Sequence, residues 1–476
     1  MNVLLVVLDS VRAKNTSIHG YNRDTTPFLD ALTSRSITYT EARAPGNWSL
    51  PSHSSMFSGY YPPEHGVFDI DDKLDPQSNI FSDLSDNGHS TAVVSGNSWL
   101  TTMDVGLKDP FSEIIDANTL YPFAEALSPD QLTLDPGING QLQYFNESLQ
   151  SNSPVRALIN GLSKKLSLDY PRLLPDDLAP TGSAHDYVEL LLDWIDHQKG
   201  DWAACLNLMD AHLPYTPDSE YDIWSDKNSR KIQNYLTDHK WQFYSGSEPW
   251  WKLSALESLY DGSIRQMDAA LNYLYSELDN RDITEETIVI ITSDHGECFG
   301  ETSNVRGGKK IAAHGVSMIE ELLHVPLIVD IPGDKREKRI DDIISLIKIP
   351  EMISDAVNNG SIRPNIYTDE QIYAFSMGLV TPDREHADYY CEDPEYLLGE
   401  EFVKYTEDRE KLKKTTDIYG PKYERRLVET ISENFSTPSR KTFEEHVESV
   451  GVNIGGSGLS EVSDSTKDRL EELGYL

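Results

Sequence analysis

Two aspartates, a serine and a histidine carry the chemistry this sequence can do. Asp9 follows the apolar run Val3–Leu8, and Asp294 and His295 follow Thr287–Thr292 within Ser293-Asp-His-Gly-Glu297. A third run, Ala203–Met209, leads into Asp210-Ala-His212. In open α/β sheets ligands bind at the carboxyl ends of strands, so Asp9, Asp294 and His295 are expected at one rim. Carboxylates gathered without a cation repel and shift each other's pKa, and a divalent metal resolves that conflict. Taken alone, Asp9 also fits a helix N-cap. Adjacent Asp and His on a tight turn after a strand are the stronger signal.

The stretch Asn47–Met56, NWSLPSHSSM, raises a second question. Pro51 suits the first turn of a helix that Ser52–Ser58 can continue. Ser49 would then stand at a helix N-terminus, where free N–H groups and the dipole favour an anion. A capping hydroxyl needs no more than that. A nucleophile needs a lowered pKa, which a coordinated metal supplies. Both roles fit Ser49. His212 and His314 taken singly read as core or surface histidines, as do His53, His65, His89 and His324.

These residues need a rigid frame. The β-branched runs Val3–Leu8, Thr91–Ser95, Ala203–Met209, Thr287–Thr292 and Val325–Ile331 read as buried strands. Helical patterns at Thr26–Ser36, Asp186–Gln198, Leu253–Glu277 and Ser317–Leu323 lie between them. The alternation predicts an α/β fold: a large mixed, mostly parallel central sheet with helices on both faces. Residues 105–185, rich in Pro, Asp and Ser, read as an insertion over one edge of the site. A Gly/Asn/Pro stretch at Asn358–Asn365 divides a catalytic domain, 1–357, from a smaller C-terminal α+β unit, 358–476. In that unit EQIYAFSMGL and EEFVKYTEDREKLKKTT read as short antiparallel strands, and STKDRLEELGYL as a terminal helix with an apolar tail that docks back.

Composition narrows the function. The 476 residues include 79 Asp and Glu against 41 Lys and Arg, a formal charge of −38 spread along the chain. That distribution reads as adaptation to high salt, and it offers no basic patch for nucleic acid. Cys205, Cys298 and Cys391 are far apart and in no metal spacing, so they read as buried thiols. The apolar start MNVLLVVLDS lacks a basic flank and is too short to span a bilayer. No transmembrane segment and a cytoplasmic location are the expectations.

The assembled motifs resemble the sulfatase branch of the alkaline phosphatase superfamily, in particular acidic haloarchaeal sulfatase-like proteins. The resemblance rests on NVLLVVLDSVR, GYNRDTTPFLDAL, SLPSHSSMFSGYYPPEHGV, LMDAHLPYTP, YDGSIRQMDAALNYL, TIVIITSDHGECFGE and HGVSMIEELLHVPLIV, in order over residues 1–335, and on the terminal LEELGYL. It implies Asp9, Ser49, Asp294 and His295 as ligands of one divalent ion, with Ser49 the nucleophile. His212 and His314 match positions that contact the transferred group or protonate the leaving group, and Lys309 or Lys310 a substrate-binding lysine.

Four departures qualify it. The second aspartate of the usual first motif is Ser10. The arginine that closes the nucleophile motif is His53, which puts conversion of Ser49 to formylglycine in doubt. Asn97 and Trp99 replace the lysine and histidine of a Gly-Lys-Trp-His run. His295 stands where many sulfatases have asparagine. Of Ca²⁺, Mg²⁺, Mn²⁺ and Zn²⁺, fewer carboxylates and an added imidazole favour the last two. The resemblance implies a metal-dependent hydrolase of small-molecule or saccharide sulfate esters, or of phosphate esters. The alternatives are a transferase that moves a phospho-group from unmodified Ser49 to glycan or lipid, and an inactive binding protein on the same frame.

Overall fold

The computed structural model of the chain describes residues 1–129, 138–169, 182–236, 239–334, 336–392, 394–408, 411–419, 424–431, 433–434 and 456–457. The expected terminal helix and parts of the 105–185 insertion lie outside the described residues. Eight strands make the main sheet: β1 (Asn2–Leu8), β2 (Ile37–Arg43), β3 (Ser90–Ser95), β4 (Glu113–Ile115), β5 (Trp202–Leu208), β6 (Thr287–Thr292), β7 (Leu327–Asp330) and β8 (Lys338–Ser345). Their spatial order is β8-β2-β7-β6-β1-β5-β3-β4. All pairs are parallel except those of β7, which runs against β2 and β6.

The central strand shows why the sheet forms. Val3–Leu8 is apolar at every position, and each side chain is buried. Successive side chains point to opposite faces, so β1 feeds two cores. Leu4, Val6 and Leu8 pack with Leu256, Leu259 and Leu271, whereas Val3, Leu5 and Val7 join Leu50, Met56 and Phe57. The first group of partners lies on a long helix, Lys252–Asn280, and the second on α1, Ser49–Ser58. A strand covered on both faces has no wet side, which is the reason for its continuous apolar run.

Further helices matter below: α2 (Ile138–Gln150), α3 (Pro154–Asp169), α4 (Ala184–Asp196), α5 (His239–Tyr244), α6 (Lys252–Asn280) and α7 (Thr381–Tyr390). A second sheet is an antiparallel meander of β9 (Gln371–Ser376), β10 (Glu400–Asp408), β11 (Lys411–Tyr419), β12 (Glu424–Thr430) and β13 (Glu433–Asn434). The strands expected from EQIYAFSMGL and EEFVKYTEDREKLKKTT are β9, β10 and β11. None of the described helices is long and apolar enough to cross a membrane.

The expected helix at Ser317–Leu323 is shorter, covering Glu320–Leu323 only. The reason is local: Met318 N and Ser317 Oγ are both held by Glu401 of β10, which keeps the segment extended. Glu401 also accepts from Arg306 Nε at 2.6 Å, and both side chains are buried. Arg306 further donates to the carbonyls of Tyr396 and Leu398. This pair fastens the second sheet to the loop after Asp294-His295. Breaking a buried pair strands the remaining charge. Glu401→Ala is therefore expected to lose about 3–5 kcal/mol in urea unfolding, and the double variant Arg306→Met/Glu401→Leu to lose less than the sum of the single changes.

Candidate active site

Asp9 is the first residue beyond β1, and its N–H donates to Leu208 O at the end of β5. The next residue, Ser10, sits at φ 63°, a left-handed conformation that costs a non-glycine residue energy. Its contacts hold it there. Ser10 N donates to Asp294 Oδ1 (3.2 Å), Ser10 Oγ donates to Asp9 Oδ1 (3.0 Å), and its carbonyl accepts from Tyr260 OH (2.8 Å). The strained turn thus brings the ends of β1 and β6 together.

The structure gathers the residues singled out in sequence. Oxygen and nitrogen atoms of Asp9, Asp294 and His295 lie within 4.8 Å of one another, and all three residues are buried. Helix α1 starts at Ser49 itself, with Trp48 in the cap position. Ser49 Oγ donates to Asp294 Oδ2 at 2.7 Å and lies 3.3 Å from His295 Nε2. Ser52 Oγ, one turn on, donates to Asp294 O at 2.6 Å, stitching the helix to the turn. His53 is buried beside them, with Nδ1 3.0 Å from Ser49 O and 3.5 Å from Asp294 Oδ2. Asn97 joins from the loop after β3: its Nδ2 donates to Asp9 Oδ2 (3.0 Å) and reaches Ser49 Oγ at 3.5 Å. Asn207 Nδ2 donates to the same Asp9 oxygen (3.3 Å).

Electrostatics match the geometry. Burial, and then the charge of Asp294, push the Asp9 carboxyl above its ordinary range. Burial also opposes ionisation of Asp294, but His295, His53, the Ser49 hydroxyl and the Ser10 amide outweigh it and hold Asp294 below the usual value. His295 is raised, because Asp294 and Asp9 outweigh its burial. Its Nδ1 meets Gly296 O at 2.8 Å, which leaves Nε2 toward Ser49. Two buried carboxylates, one imidazole nitrogen and one hydroxyl converging on a point form a donor set that fits a divalent cation.

His212 and His314 adjoin this cluster. The His314 ring is 4.6 Å from that of His295 and 5.2 Å from that of His212. His212 Nδ1 faces Leu213 O at 2.9 Å, and His314 Nδ1 faces Glu297 Oε2 at 3.3 Å. Burial, with His295, His212 and Lys240 adding to it, pushes His314 well below the ordinary histidine value. Lys309 and Lys310 are placed differently. Both are exposed on the strand Lys309–Ala312, over the rings of Tyr396 and Trp250, whereas the cluster is buried.

Three groups escaped the sequence reading. Glu297 belongs to the Asp294–His295 turn, and Tyr215 OH donates to it at 3.2 Å. Lys240 on α5 and Asp383 on α7 form a buried pair at 2.6 Å, and Asp383 Oδ2 lies 3.9 Å from where a Cβ on Gly315 would stand. Arg12, fully buried, donates to Glu297 O at 3.0 Å and pairs with Glu257 and Glu301. The Gly296-Glu297 segment was the available signal for Glu297; nothing local announced the others.

The family model described as Sulfatase matches residues 1–359. The chain belongs to the sulfatase family. Arylsulfatase K of Canis lupus familiaris is 21% identical over 371 residues, covering 75% of this chain and 63% of that protein. Iduronate 2-sulfatase of Homo sapiens is 23% identical over 382 residues, covering 70% and 60%. The chain thus spans less than two thirds of the length of these relatives. Among solved structures, the phosphonate monoester hydrolase of Agrobacterium radiobacter aligns with TM-score 0.59 at 16% identity, over 90% of this chain and 89% of that one. A structure in complex with its substrate D-glucosamine-2-N,6-O-disulfate aligns with TM-score 0.58 at 12% identity, over 90% and 91%. These likenesses establish the alkaline phosphatase-type fold of this sulfatase-family chain.

The turn that carries Asp294 and His295 has no room to spare. A Cβ on Gly296 would stand 2.0 Å from Glu321 O and 2.8 Å from Arg12 Cβ. Gly296→Ala is expected to displace His295, lowering stability by about 1–3 kcal/mol or more. The measurement is thermal unfolding; an unshifted transition would show that the turn yields freely.

Proposed function

We propose that this sulfatase-family protein hydrolyses sulfate esters with Ser49 as nucleophile and one divalent cation as cofactor. The observation that carries the reading is Ser49 Oγ at the first turn of α1, hydrogen-bonded to Asp294 and within 3.3 Å of His295 Nε2. A cap role alone would not bury this hydroxyl between two such groups. The similarity to arylsulfatase K, to iduronate 2-sulfatase and, at 22% identity over 367 residues, to an ulvan-active sulfatase of Formosa agariphila supports sulfate esters, saccharide esters among them, as the substrate class.

Asp9, Ser49, Asp294 and His295 would hold the cation, with Asn97 and Asn207 fixing the Asp9 carboxylate. When bound, the cation supplies Lewis acidity that lowers the pKa of the Ser49 hydroxyl and offsets charge on the ester oxygens. Asp294 accepts the Ser49 hydrogen bond, aligns Oγ for in-line attack on sulfur and takes the hydroxyl proton as the new S–O bond forms and the ester S–O bond to the leaving oxygen breaks. The free N–H groups of the first turn of α1 stabilise the equatorial oxygens as charge develops. His212 gives the leaving oxygen its proton.

His314, kept neutral, takes a proton from the water that releases sulfate from Ser49. Glu297 holds the imidazole through Nδ1 and stabilises the cation that forms, and Tyr215 holds Glu297. Lys240, buried and paired with Asp383, adds positive potential near His314. Phosphate or phosphonate esters are the second reading, because in-line displacement by a hydroxyl has the same geometry at phosphorus.

Ser49→Ala is expected to cut kcat on aryl sulfate by at least about 10³-fold with the fold intact by circular dichroism. Wild-type activity in that variant on both aryl sulfate and aryl phosphate would overturn the nucleophile assignment. Peptide mass spectrometry across residue 49 distinguishes serine, formylglycine and a trapped adduct. A protein that binds no divalent ion would favour the inactive alternative.

Glu297→Gln is expected to slow release of the covalent intermediate more than its formation, so that a burst of aryl alcohol precedes a steady rate about 10²-fold slower. Equal slowing of both phases would deny Glu297 its place beside the second-step base.

A further inference from the structure

Helices α2 and α3 form a hairpin whose polarity is reversed. Its inward face carries Tyr144 and Ser148 on α2 and Ala157, Asn160 and Ser163 on α3, all buried. These are small or polar anchors. Asn160 accepts from Phe123 N at 3.1 Å and donates to Phe123 O at 2.9 Å, while Tyr144 OH donates to Leu127 O at 3.0 Å. Gly161 is required beneath the Tyr144 ring, because a Cβ there would stand 2.1 Å from it. The large apolar residues point the other way. Leu142, Phe145 and Leu149 on α2 are 57%, 46% and 52% exposed, and Val155, Ile159 and Leu162 on α3 are 71%, 40% and 56% exposed.

A helix normally turns its apolar stripe to the core, and exposed patches beyond a few hundred Å² mark interaction surfaces. The spacing of these six residues is specific. On each helix they recur at three- and four-residue steps, the a/d pattern of a helix–helix seam. The two helices, of 13 and 16 residues, offer a face about 24 Å by 20 Å. That footprint, roughly 480 Å² before side-chain relief is counted, is at the small end of stable interfaces, for which about 800 Å² per partner is standard.

Charge selects the occupant. Residues 138–169 hold Arg156, Lys164 and Lys165 against Glu147 and Asp169, a slight positive excess in a chain of net −38. Arg156 is paired with Glu125, and Lys165 Nζ donates to Gln141 Oε1 across the hairpin, so two of the three bases are engaged locally. The rest of the molecule repels an anionic bilayer and a second copy alike, but a second copy brings its own slightly positive hairpin to the contact, whereas a bilayer brings further negative charge. Two copies meeting at this hairpin touch where their mutual repulsion is weakest.

We propose that the α2–α3 hairpin is a homodimer interface, in which a second copy of this chain lays its own hairpin against Leu142, Phe145, Leu149, Val155, Ile159 and Leu162 in a two-fold four-helix arrangement. The inference is independent of the chemistry at Ser49.

Sedimentation equilibrium of the full chain, at low and at molar salt, tests it alongside Leu142→Glu/Ile159→Glu and the milder Leu149→Gln/Val155→Gln. The expected result is twice the chain mass for wild type at molar salt, and a single chain mass for both variants with unchanged circular dichroism. Esterase or sulfatase turnover at saturating substrate is expected to stay within about twofold of wild type, since no changed residue touches the site. A monomeric wild type at both salts overturns the proposal, as does a dimer that survives both variants. A monomer that floats with anionic lipid vesicles would assign the face to a membrane and overturn it equally.

Discussion

The structure turns on keeping two carboxylates, Asp9 and Asp294, out of water and beside each other. Burial and mutual repulsion both work against that arrangement. The surrounding donors answer each oxygen. Ser10 contributes a hydroxyl to one carboxylate and a backbone N–H to the other, Asn97 and Asn207 share an Asp9 oxygen, and Ser49 caps Asp294. The imidazoles of His53 and His295 lie within 3.5 Å of Asp294 Oδ2. The left-handed Ser10 is the strain that this network sustains. Where the family usually has a second aspartate, a hydroxyl here satisfies the same neighbourhood without adding a third negative charge.

A related economy governs the scarce bases. Arg12, Arg43, Arg306, Lys240 and Lys414 are all buried, each paired with at least one carboxylate. Arg43 and Lys414 converge on Glu320 from β2 and β11 and so join the two sheets. These five of the chain's 41 Lys and Arg are structural, each set against buried or half-buried carboxylates. Net charge this large opposes compactness through self-repulsion, and the internal pairs hold the layers against it.

The strand ends were legible because apolar runs of β-branched residues have few alternatives and polar residues directly after them mark the rim. β1, β3, β5 and β6 follow their sequence bounds within a residue or so, and Asp9, Asp294 and His295 converge as expected. β2, ITYTEAR, and β8, KRIDDIIS, escaped notice. Both mix polar and apolar residues, and their place is set by pairing with each other at the sheet edge. The antiparallel sense of β7 is equally a property of its neighbours and not of its own residues. Lys309 and Lys310 were suggested by the family resemblance as a substrate-binding lysine; they lie exposed on the strand Lys309–Ala312, paired with Ser303 and Thr302. Lys240 with Asp383, and Tyr215 with Glu297, depend on contacts across 143 and 82 positions. Such pairings come from the tertiary fold, which no local pattern encodes.

The position of β1 has a consequence for how the molecule is made. It precedes both of its partners in the chain, yet it lies inside the sheet between residues 202–208 and 287–292. Until those partners are synthesised, a run of six apolar residues has nothing to pair with, and high contact order makes the wait long. A net charge far from zero keeps a chain soluble, and acidic residues are spread along this one. The same density of charge that burdens the finished protein thus serves the unfinished one.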